Sequence, residues 1–109
     1  MKNMYWLNHS KDWNDAEYSY LMRLSNKLTW KQQLLSITME ECGELTQVCS
    51  KILRFGFEPE KKEDLIKEAG DVLCMIDLMV EFGWVTQEQL DNRIPIKRNK
   101  LKIYSDILK

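Results

Sequence analysis

Apolar positions recur at three- and four-residue spacing along most of this chain, and no stretch keeps the two-residue alternation of a half-buried strand. The pattern therefore predicts an all-α protein. Tyr18, Leu21, Met22 and Leu24 form a stripe that predicts a first helix over Asn14–Lys27. Thr29 followed by Gln32 reads as a capping box opening a second helix, which carries Leu34, Leu35, Ile37, Leu45, Val48, Ile52 and Leu53 to about Arg54. Phe55-Gly56 supplies its stop, and the rod spans about 37 Å at a rise of ~1.5 Å per residue.

Pro59 suits the first position of a third helix, with Glu58, Glu60, Glu63 and Asp64 near its positive dipole end. That helix continues through Leu65, Ile66, Val72, Leu73, Met75, Ile76, Leu78 and Met79 to a stop at Gly83. Its second half is apolar on most sides, which predicts burial on most sides. Thr86 with Gln89 is a second capping box and opens a fourth helix. Pro95 is expected to break or kink it, leaving a last helical piece from Ile96 to Leu108. Residues 1–13 read as an irregular amino-terminal segment, with Trp6 and Trp13 packing onto the rest.

Composition narrows the class. A chain of 109 residues without a low-complexity linker or repeat reads as one domain, 1–109. A net charge of −1 gives no broad attraction for nucleic acid or an anionic membrane, so any phosphate must be held by a few placed cations. No run of 18 apolar residues predicts a membrane span, and MKNMYWLNHSKDW lacks the apolar core of a signal peptide. Cytoplasmic residence is the expectation. Cys42, Cys49 and Cys74 form no CxxC pair and sit in apolar contexts, which predicts buried free thiols. The single histidine, His9, lies far from them, which disfavours a zinc site.

Within these helices two acidic clusters stand out. Glu40, Glu41 and Glu44 occur in MEECGEL, and Glu68 and Asp71 in KEAGDVL. Glu41 and Glu44 are about 60° apart around a helix, and Glu40 and Glu44 about 40°, so Glu44 can work with either neighbour. Glu68 and Asp71 repeat the i, i+3 spacing. If the two helices pack antiparallel, four oxygen donors can face each other across the seam. Oxygen ligands without histidine or thiolate suit a hard cation such as Mg2+ or Mn2+. Gly43 and Gly70 sit inside the clusters, and a helix-interior glycine costs about 1 kcal/mol against alanine. Close backbone approach at the site is one candidate reason for both. The plain alternative is two solvated acidic faces.

The segment Glu40-Glu41-Cys42-Gly43-Glu44, followed after 23 residues by Glu68-Ala69-Gly70-Asp71, resembles the EExxE…ExxD signature of the MazG family. The resemblance covers about Trp30 to Lys102. It implies a MazG-like helical bundle of four to five helices completed by homo-oligomerisation, as a homodimer or homotetramer. It also implies an Mg2+-dependent hydrolase, with Mn2+ a possible substitute, that cuts nucleoside triphosphates between the α and β phosphates into monophosphate and pyrophosphate. Carried over, the metal ligands are Glu41, Glu44, Glu68 and Asp71. Glu40 joins Glu41 and Glu44 as a catalytic residue, in an outer shell, at a further ion, or orienting the attacking water.

Other residues follow from the same reading. Gln47, Lys51 and Arg54 step along the Glu44 face and are candidates for the outer phosphates. Lys97, Asn99 and Lys102 match the basic, asparagine-containing segment that completes the nucleotide pocket in relatives, and Trp30 is a candidate for stacking on the base. Two other classes compete. A non-catalytic helical nucleotide-binding or interaction module would keep the fold, although all five acids are present. A carboxylate-bridged di-iron bundle wants Glu-x-x-His pairs, which this chain lacks.

Overall fold

The computed structural model describes residues 28–109, and among these every regular element is an α-helix. In chain order they are α1 (Trp30–Phe55), α2 (Pro59–Glu81) and α3 (Gln87–Tyr104). The expected helix over 14–27 and the irregular segment 1–13 lie outside the described residues. The chain divides at Val72, inside α2, into two units, Met1–Val72 and Leu73–Lys109.

In the first unit the capping chemistry places α1 where the sequence pattern puts it. Thr29 Oγ1 accepts from Gln32 N at 3.2 Å, and Gln32 Oε1 accepts from Thr29 N at 3.0 Å. Two amides that the first turn leaves without helical partners are thereby satisfied. Gln33 is buried beside this cap and donates through Nε2 to the Leu28 carbonyl at 3.1 Å. At the other end Gly56 has φ of 94°, and its N–H donates to the Ile52 carbonyl at 2.9 Å. That left-handed backbone suits glycine and ends the rod. Only Phe57 and Glu58 separate it from Pro59, the first residue of α2. Leu34 and Val48 are buried on α1, whereas Met39 and Leu53 stand exposed.

The second unit begins within α2 and turns at Gly83, where φ is 78°. Trp84 N–H donates to the Met79 carbonyl at 2.9 Å and Gly83 N–H to the Val80 carbonyl at 3.0 Å. These are the paired bonds of a Schellman motif. Thr86 and Gln89 then exchange capping bonds of 3.0 and 3.1 Å and open α3.

Three expectations are corrected here. The helix does not break at Pro95 but runs through it to Tyr104, ending at Ser105 rather than Leu108. Proline removes one donor to the carbonyl four residues back, and on a wholly exposed stretch such as 91–100 water can satisfy that carbonyl. The second half of α2 is not buried on most sides. Met75 alone is fully buried there, Ile76, Leu78, Met79 and Val80 are half-buried, and Leu73 is 60% exposed. Finally, Cys42, Cys49 and Cys74 are free, as expected, but exposed rather than buried.

Candidate metal centre

Within the first unit, α1 and the first part of α2 build the site. Glu41 lies 14 residues before the end of α1, about 21 Å along the rod, and Asp71 lies 12 residues into α2, about 18 Å along it. A connection of three residues between the rods sends α2 back alongside α1. Single carboxylate oxygens of Glu41, Glu68 and Asp71 accordingly lie within 4.8 Å of one another. Glu68 is buried at 8% exposure, and Glu41 and Asp71 are half-buried.

Three carboxylates this close cannot all carry full charge without cost. Burial pushes the Glu41 carboxyl up from 4.5 to about 7, with further pressure from the Asp71 carboxylate beside it and from Glu68. Glu68 is raised as well, again chiefly by burial, with Lys67 opposing the rise. Desolvation and like charge raise both acids, and a proton or a cation at this place would relieve that pressure. The donor set fits a hard divalent ion, since it is oxygen alone, and opposite ligands about 2.1 Å from one ion would stand about 4.2 Å apart.

One cation is already present. Lys67 Nζ lies 3.3 Å from Glu68 Oε1 and 3.9 Å from Asp71 Oδ2. The sequence reading passed over this lysine. Its i, i+4 spacing to Asp71 was the signal that could have found it.

The remaining expected site residues are placed as follows. Glu44 is half-buried one turn beyond Glu41 on α1, and it is not among the three oxygens that converge. Glu40 is half-buried on the same helix. Gln47, Lys51 and Arg54 are exposed farther along α1. Arg54 Nε donates to the Ser50 carbonyl at 3.4 Å, and its guanidinium lies 5.1 Å from the Phe55 ring centre. Trp30 is half-buried at the start of α1, with Lys31 Nζ 5.8 Å from its ring centre. Lys97, Asn99 and Lys102 are exposed on α3 in the second unit.

The candidate reason for the two glycines finds no support among the described residues. A Cβ built on Gly43 or on Gly70 would meet nothing within 4 Å, so no described neighbouring backbone requires glycine at either position.

The sequence model of the MazG nucleotide pyrophosphohydrolase domain matches residues 30–93, a span that holds all five clustered acids. No curated protein and no solved structure matches the chain significantly.

Proposed function

We propose, from the premise that this chain belongs to the MazG nucleotide pyrophosphohydrolase domain family, that it is an Mg2+-dependent enzyme acting on free nucleoside triphosphates. Water cleaves the anhydride linkage between the α and β phosphates, and pyrophosphate is released. The other product is the nucleoside monophosphate. The observation that carries this reading is the convergence of Glu41, Glu68 and Asp71 oxygens within 4.8 Å inside the family match.

In this reading Glu41, Glu68 and Asp71 hold the ion, with Glu44 completing the set from the next turn of α1. When bound, a divalent ion offsets charge on the phosphates and lowers the pKa of a water that it holds. Glu40 acts from an outer shell, at a further ion, or by orienting the attacking water. Gln47, Lys51 and Arg54 contact the outer phosphates, and Lys97, Asn99 and Lys102 the phosphates or ribose. Trp30 stacks on the base. The protein works as a single-domain homo-oligomer in the cytoplasm. Among the described residues no helix is long and apolar enough to cross a membrane.

The test is a panel of NTPs and dNTPs with Mg2+, quantifying monophosphate, pyrophosphate and orthophosphate. The expected products are monophosphate and pyrophosphate in equal amounts. Glu41→Gln and Asp71→Asn should each lower kcat by about 100-fold or more, because an ion's transition-state stabilisation amounts to several kcal/mol. Orthophosphate as the first product would move the cut to another bond. Unchanged turnover in both variants would remove the metal mechanism. Nucleotide binding without any product would make the protein a binding module.

A further inference from the structure

We propose that Lys67 is the built-in counter-ion of the acidic cluster, a positioning residue that occupies it until a divalent ion takes its place and so sets how tightly that ion is held. The inference rests on the metal reading of Glu41, Glu68 and Asp71. Its own ground is the position of one ammonium group.

Lys67 precedes Glu68 in the chain and stands one turn before Asp71 on α2, so a single side chain can reach both acids. Its Nζ lies 3.3 Å from Glu68 Oε1 within hydrogen-bond reach, and 3.9 Å from Asp71 Oδ2. Glu68 is one of the two buried polar side chains among the described residues, the other being Gln33. The oxygen Lys67 holds is therefore one that water reaches poorly.

A divalent ion and this ammonium compete for the same oxygens. As an ion binds Glu68 and Asp71, the lysine must give up at least part of both contacts. Its head can do so readily, because the Lys67 side chain is 44% exposed and has water to turn into. The lysine thus opposes metal binding while it holds the empty cluster together. A residue with a purely structural role would act in the opposite direction, since its loss would loosen the ligands and weaken the ion.

Calorimetric titration of the full-length protein with Mn2+ at pH 8 tests this with no nucleotide present. Lys67→Met keeps the apolar stem and removes the charge. It should bind Mn2+ about three- to tenfold more tightly than wild type, a range set by a partly solvent-screened pair of charges. Lys67→Arg should stay close to wild type. In EDTA the Lys67→Met melting temperature should fall below that of wild type, and saturating Mn2+ should raise it by a larger increment. Circular dichroism establishes that the variant is folded. Equal or weaker Mn2+ binding by folded Lys67→Met overturns the role of Lys67 and leaves the catalytic reading intact. Failure of the wild type itself to bind Mn2+ overturns both.

Discussion

Glu41 gives the metal-free protein a pH dependence whose sign is fixed by its environment. Its carboxyl is held near 7 in the folded chain, against 4.5 in the absence of burial and neighbouring acids. The folded state therefore binds more protons between these values, and the stabilising contribution of this group is greatest below about 4.5 and is lost as pH rises through 7. Glu68 adds to the same trend. Because Glu41 is only half-buried, solvent screening moderates the effect. Melting temperatures in EDTA at pH 5 to 8 should decline more steeply for wild type than for Glu41→Gln. The variant's advantage should be largest at pH 8. Saturating Mg2+ should reverse the wild-type decline there, since a bound cation replaces the lost proton. Parallel curves for the two proteins would mean that Glu41 is not under this pressure.

At the scale of the helices, the energetics of single positions become testable. Loss of the Thr29 hydroxyl in Thr29→Ala should cost about 1 kcal/mol, the usual worth of an N-cap. Gly43→Ala and Gly70→Ala should each stabilise by up to about 1 kcal/mol, since the added Cβ meets nothing and alanine favours the helix. Pro95→Ala should stabilise α3 more, by up to about 3 kcal/mol, by restoring a backbone donor in a helix interior. Urea unfolding of each variant measures these changes. The same scale shows what sequence can disclose. The capping boxes at Thr29 and Thr86 and the stops at Gly56 and Gly83 are local chemistry, and all four ends fell where their residues imply. Helical spacing of Glu41, Glu68 and Asp71 was legible for the same reason, and a short connection brought them together. What was not legible depended on surroundings. Apolar neighbours in sequence suggested buried cysteines, but burial is decided by what packs over a helix, and Cys42, Cys49 and Cys74 are exposed. Pro95 misled because the rule against it assumes a helix whose carbonyls cannot turn to water. Lys67 escaped notice because one lysine on a charged face looks ordinary until its partners are known to be buried.

For the molecule as a whole, the telling quantity is how little apolar surface is hidden among the described residues. Leu34, Val48 and Met75 are its fully buried hydrophobic residues among those described. In the first unit Leu53 is 87% exposed, and in the second Tyr104 is 82% exposed, with Ile103 and Ile107 nearby in sequence also open. Large apolar side chains left open in each unit are what an interaction face would cover, and the proposed homo-oligomer is the occupant expected here. Size-exclusion chromatography with light scattering should give a mass at least twice the 13.1 kDa chain. Leu53→Glu should shift that mass toward the monomer. A monomeric wild type at micromolar concentration would leave these faces for another partner.

The open position of Cys42 has a practical consequence. It adjoins Glu41 in sequence, while Cys49 lies seven residues farther along α1, about 10 Å by helical rise. A nitroxide spin label attached at either thiol, with the other two replaced by serine, would sense paramagnetic Mn2+ arriving at the carboxylates. The pair would serve as a ruler along the rod, reading the ion's location from relaxation rates without any need for turnover.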